Sequence, residues 1–148
     1  MADHPDSTKL RRLHDAVEVA GGSAVDADAL VASAAEALRT KAYENAAAIL
    51  DTALTLEPEH AEAWALRGAT FEQLGQPDEA IRAYETALSI DDRDPISALA
   101  LAALYVRASS VERAKALLSW LILEEDVPAD LRQRAGVLLE SLASRTRA

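Results

Sequence analysis

The sequence predicts an all-α fold, and three observations carry that expectation. Ala and Leu dominate a chain of 148 residues that is half apolar, while aromatics reach 4% and Gly and Pro number five each. Such a mixture favours helix over strand on intrinsic propensity. Small residues recur every 34 positions, with Ala34, Gly68, Ala102 and Gly136 in one series and Ala46, Ala80 and Ala114 in another. A period of that length marks stacked helix pairs, each too small to bury its own apolar face. Bulky side chains keep the same register, as in Phe71, Tyr105 and Leu139, or Leu50, Tyr84 and Leu118. Small residues let helix axes approach to about 8–10 Å, and large ones fill the grooves between them.

The elements follow in order. Within 1–26, the stretch Asp6 to Ala20 places Leu10, Leu13 and Val17 at i, i+3 and i+7, one apolar stripe of a short amphipathic helix. That stripe is a candidate for self-association, and Gly21 and Gly22 end the helix. Residues 27–128 divide into three units, 27–60, 61–94 and 95–128. Asp26 is the expected N-cap of the first unit, Asp78 that of a helix in the second, and Gly75 sits in the turn within that unit. Pro58, Pro95 and Pro128 fall at unit boundaries. Ser109 and Ser110 stand where the third unit would have its turn glycine, which predicts a looser or longer turn there. Residues 129–148 form a capping helix and tail, since Asp130 to Leu142 repeats only the first helix of a fourth unit. Trp64 is the expected buried ring of the middle unit.

Charge and composition exclude several functions. Twenty-five acidic residues against fifteen basic ones give a formal charge of -10, a field that repels phosphate backbones and anionic lipid. Nucleic acid is therefore not an expected partner. The most apolar run, Ile96 to Val106, is far shorter than the roughly 20 residues of a membrane span. Asp15 and Glu18 interrupt any secretory signal behind Lys9, Arg11 and Arg12, and the lack of Cys agrees with a cytoplasmic location. Spacings that a hydrolytic triad, P-loop, dinucleotide site or zinc protease requires are missing, so no enzyme and no cofactor is expected. His4, His14 and His60 are scattered, and Glu57, Glu59, His60 and Glu62 read as a solvated edge rather than a metal site. Trp120 reads as core packing, with a partner contact as the alternative.

The middle unit, AEAWALRGATFEQLGQPDEAIRAYETALSIDD, resembles the tetratricopeptide repeat (TPR) through Trp64, Gly68, Phe71, Gly75, Ala80, Tyr84 and Ala87. The resemblance implies a superhelix of antiparallel helix pairs whose first helices line a concave groove. By register, that groove holds Val31, Ala35, Leu38 and Arg39 in the first unit and Ala65, Ala69, Glu72 and Gln73 in the second. The third supplies Ile96, Leu99, Ala103, Val106 and Arg107. Val31, Ala35, Leu66, Ile96 and Ala100 occupy the places where chaperone adaptors carry a carboxylate clamp, so a terminal carboxylate would lose its charge-assisted bonds here. An extended apolar segment of another protein is the better-fitting client, with Gln73, Arg39 and Arg107 available for its backbone.

The layout of leading helix, three units and terminal helix also resembles the class II chaperones of bacterial type III secretion. Lys41, Ala42, Tyr43, Glu44 and Ala46 are similar to the first-repeat turn of that family, Asp94 and Pro95 to the start of its third repeat, and ADLRQRAGVLLESL to its closing helix. The resemblance implies a groove that shields a hydrophobic translocator before export, and dimerisation through the leading helix. The alternative expectation is a TPR adaptor or scaffold subunit of a larger assembly, which the fold alone does not separate from a chaperone.

Overall fold

A computed structural model describes residues 25–146. Among the described residues seven α-helices follow one another: α1 Ala27–Arg39, α2 Tyr43–Leu56, α3 Ala61–Gln73, α4 Pro77–Ile90, α5 Pro95–Arg107, α6 Val111–Leu123 and α7 Ala129–Thr146. No strand occurs among the described residues. Helices pair as α1/α2, α3/α4 and α5/α6, each pair packs on the next, α1 also touches α3, and α5 touches α7. This is the expected all-α superhelix of helix pairs.

Three caps at one spacing start the first helices of the pairs. Asp26 Oδ1 accepts from Ala29 N at 2.7 Å, His60 Nδ1 from Ala63 N at 3.2 Å, and Asp94 Oδ1 from Ile96 N at 3.0 Å. Each cap satisfies an amide that the helix itself leaves unbonded. The second helices start differently. Their N-cap positions, Ala42, Gln76 and Ser110, make no side-chain cap bond. Asp78 therefore does not cap α4: Pro77, already fixed near helical φ, takes the first position and moves Asp78 into the first turn.

The reason lies in the turns. Lys41, Gly75 and Ser109, again 34 apart, have φ of 64°, 72° and 61°. In each, the amide of the left-handed residue donates three positions back: Lys41 N to Leu38 O at 3.1 Å, Gly75 N to Glu72 O at 3.1 Å, Ser109 N to Val106 O at 3.2 Å. The following amide donates five positions back, from Ala42 to Ala37 at 2.7 Å, Gln76 to Phe71 at 2.9 Å and Ser110 to Tyr105 at 2.8 Å. One helix thus closes in a Schellman motif directly onto the start of the next. The third turn is accordingly neither looser nor longer than the others. Its serine accepts the left-handed conformation because the two hydrogen bonds and the packed helices hold it there.

The core divides into two apolar clusters. Leu30, Val31, Ala34, Leu50, Ala53, Leu54 and Ala63 form the smaller, with Trp64 and Leu66 against it. The larger runs from Ala80 and Tyr84 through α5 and α6 to Leu131, Ala135 and Leu142 of α7. Trp64 is half-buried rather than enclosed. Its indole N–H reaches the Pro58 carbonyl at 2.8 Å, and the Arg67 guanidinium lies 5.6 Å from its ring centroid while also pairing with Asp51. Trp120 is partly buried against the larger cluster, as expected of core packing. At Gly68 an added Cβ would lie 2.8 Å from the Tyr84 ring, so the small residue is a steric requirement of the α3/α4 contact. At Gly136, the same register position in α7, nothing lies within 4 Å.

Candidate functional site

The first helices of the pairs, with α7 continuing their row, carry two clefts. The larger, about 600 Å³, is lined by Glu72 of α3, Ile96, Leu99, Ala100 and Ala103 of α5, and Leu131, Gln133, Arg134, Val137 and Leu138 of α7. Leu99 and Leu131 reach it from the packed core, each less than a tenth exposed. Ile96 and Val137 do the opposite: they are 69% and 61% exposed, aliphatic side chains left in water inside a concavity. The smaller cleft, about 380 Å³, is lined by Leu38, Arg39, Lys41, Tyr43, Ala69, Glu72 and Gln73.

The structure therefore brings together eight of the groove positions named from the sequence. Leu38, Arg39, Ala69, Glu72 and Gln73 share the smaller cleft, and Glu72 joins Ile96, Leu99 and Ala103 in the larger. Five lie outside both. Val31 and Val106 are in the core, 3% and 6% exposed, because α1 and α5 turn those positions toward their neighbours. Ala65 is half-buried, and Ala35 and Arg107 are exposed beyond the cleft walls. Leu10, Leu13 and Val17 lie outside the described residues.

Sequence reasoning missed the wall contributed by α7, which was expected to be a cap. The missing signal was the period itself: one further step of 34 from Leu99 and Ala103 reaches Gln133 and Val137. Lys41 and Tyr43 were missed because they sit in and after the turn rather than on a first helix.

Two polar contacts hold charged residues that line the clefts. The Tyr84 hydroxyl donates to Glu72 Oε2 at 2.8 Å, which fixes that carboxylate between the clefts. Burial first, and the Glu72 carboxylate second, push the Tyr84 hydroxyl far above its ordinary range, so it remains a donor. Arg39 is engaged by its own helix: its Nε donates to Glu36 Oε2 at 2.8 Å, and that hydrogen bond holds the Glu36 carboxyl below its usual range. Among the described residues no cluster of His, Cys, Asp or Glu could hold a metal ion, and no helix is long and apolar enough to cross a membrane. His60, read earlier beside three glutamates, spends both ring nitrogens on the Ala63 amide and Asp28.

Comparison with known proteins agrees with this geometry. The translocator chaperone SycD of Yersinia enterocolitica type III secretion superposes with a TM-score of 0.76 at 20% identity, covering 88% of this chain and 94% of that one. SycD solved in complex with a peptide of the translocator YopD gives a TM-score of 0.73 at 20% identity, covering 80% and 93%. At such identity these likenesses show the fold. A murine protein, superkiller complex protein 3, is 33% identical over 79 residues, which make up 53% of this chain and 5% of that protein. The tetratricopeptide repeat profile matches residues 34–119, and with the paired helices and the 34-residue turns already described, the chain belongs to the tetratricopeptide repeat family.

Proposed function

We propose that the protein binds, without catalysis, an extended apolar segment of another polypeptide in its concave groove, as a cytoplasmic chaperone for a hydrophobic translocator of type III secretion. The observation that carries this reading is the exposure of Ile96 and Val137 within one 600 Å³ cleft. Covering an aliphatic side chain of that size is worth roughly 1.5–3 kcal/mol, so a client's apolar residue gains most where these two stand. A concavity of this volume, lined mostly by aliphatic side chains with Glu72, Gln133 and Arg134 among them, supports the reading of a peptide-binding groove. The complex of SycD with a translocator peptide, on the same fold, supports the chaperone reading. Dimerisation through Leu10, Leu13 and Val17 belongs to the same proposal. A TPR adaptor or scaffold role is the second reading, favoured by the higher identity to superkiller complex protein 3.

The test uses the double variant Ile96→Glu/Val137→Glu, since both side chains stand in solvent and their replacement leaves the core intact. Affinity capture from the producing cells, followed by co-expression with the protein recovered, compares wild type and variant. A pore-forming client kept soluble by wild type alone is the expected outcome. Equal recovery of partners by both would remove the groove from the function and favour the adaptor.

A further inference from the structure

Building on the groove reading, we propose that Glu72 selects the client: the bound segment carries a lysine or arginine between two apolar residues, and that cation pairs with the Glu72 carboxylate. Glu72 lines both clefts, so whatever chain runs from one to the other passes over it. Its equivalents one period away are Leu38, in the smaller cleft, and Val106, in the core, so among the three helix pairs this register position carries a carboxylate only at Glu72. A half-buried carboxylate in such surroundings costs desolvation unless a cation or several donors meet it.

Among the described residues Glu72 meets only part of that need. Tyr84 donates to Oε2, and no Lys, Arg or His among the described residues forms an ion pair with it. Arg39, which shares the smaller cleft, is held by Glu36. Tyr84 is 4% exposed and fixed in the core, so it holds the carboxylate in place instead of following it. Flanking surfaces supply the rest of the specificity. One apolar client residue fits against Ile96 and Val137 in the larger cleft, and a second fits against Leu38 and Ala69 in the smaller. The formal charge of -10 draws a basic segment toward the protein from a distance, and since Arg39, Lys41 and Arg134 also line the two clefts, Glu72 is the carboxylate there that can receive its cation.

A displayed library of random 12-residue peptides, selected on the full chain, tests this with Glu72→Gln as the variant. The glutamine oxygen still accepts from Tyr84, and a thermal melt within a few degrees of wild type confirms an intact fold. Peptides selected by wild type are expected to share Lys or Arg flanked by apolar residues. Replacing that Lys by Met should weaken binding to wild type on the order of tenfold and leave binding to Glu72→Gln unchanged. Selection of apolar peptides without a shared cation, bound alike by wild type and Glu72→Gln but lost by Ile96→Glu/Val137→Glu, overturns the role of Glu72 and keeps the groove. Peptides bound equally by all three proteins overturn the groove reading and this inference together.

Discussion

The His60 ring ties two helix pairs together, with Nε2 2.8 Å from Asp28 Oδ1 of α1 and Nδ1 accepting from Ala63 N at the start of α3. Since Nδ1 accepts, the proton of the neutral ring sits on Nε2 and is donated to Asp28. His60→Ala removes both the cap and the tie, at a cost of about 2 kcal/mol. His60→Asn retains a capping oxygen and should lose about half as much. Urea denaturation of the two variants checks the order, and equal losses would mean that the cap contributes nothing.

Gly68 and Gly136 share a register and should respond oppositely to alanine. At Gly68 the new Cβ would sit 2.8 Å from the Tyr84 ring, an overpacking that costs roughly 1–3 kcal/mol and exceeds the gain in helix propensity. At Gly136 the space is open, so Gly136→Ala should stabilise by up to about 1 kcal/mol. Thermal melts of both variants decide the matter by the sign of the shift.

Lys41 and Ser109 hold left-handed backbone without being glycine. Lys41→Gly and Ser109→Gly should each stabilise by about 0.5–1 kcal/mol, the relief of the Cβ contact less the added freedom of the unfolded chain. Gly75→Ala should cost about 1 kcal/mol for the converse reason. Chemical denaturation midpoints of the three variants provide the check.

Tyr84 gives the protein an alkaline limit. Its hydroxyl titrates at its ordinary 10.0 in the unfolded chain and well above that when folded. The unfolded state therefore loses the proton first, and stability present below pH 10 falls as pH rises beyond it. Tyr105 is shifted the same way, by burial and then by its hydrogen bond to Glu85. Tyr84→Phe should cost about 1 kcal/mol at pH 7 and flatten, without abolishing, the loss of stability above pH 10. Denaturant midpoints at pH 7, 9 and 10.5 measure both effects.

Leu99 and Ile96 lie three residues apart on α5 and line one cleft, yet their charged variants should behave differently. Leu99 is 5% exposed and Ile96 is 69% exposed. Leu99→Glu forces a carboxylate into the larger cluster and should cost roughly 3 kcal/mol or more, whereas Ile96→Glu should leave the circular dichroism melt near that of wild type. A lost client in Leu99→Glu would thus report the fold, and in Ile96→Glu the groove.

Most of the architecture was legible because packing repeats. Ala34, Gly68 and Ala102 mark helix contacts that recur at a fixed interval, and one period then places the helix pairs. What escaped depends on rotation and on neighbours. Register names Val31 and Leu38 alike as groove positions, but only the packed helices show that Val31 is turned inward. Trp64 matches a buried consensus ring and is nonetheless half-exposed, its indole anchored to the Pro58 carbonyl at the edge of the smaller cluster. The Ser109 turn defied its residue type because the two hydrogen bonds of its Schellman motif, with the packed helices on either side, outweigh a modest backbone preference. The role of α7 in the cleft was available from the period and obscured by reading a terminal helix as a cap.

The split of the apolar core across α3 makes the molecule mechanically uneven. Ala63, Trp64 and Leu66 of that helix belong with α1 and α2, whereas Ala69 and Phe71 belong with everything that follows. Between them Gly68 adds no apolar side chain, and the halves are spanned by the Arg67 guanidinium, 5.6 Å from the Trp64 ring centroid and 5.3 Å from that of Phe71. Sub-global opening is therefore cheapest on the side of α1 and α2, where fewer apolar groups are shared. The cleft between α5 and α7 rests on the larger cluster and keeps its shape through such excursions, so a client could be loaded against a firm wall while the opposite wall yields.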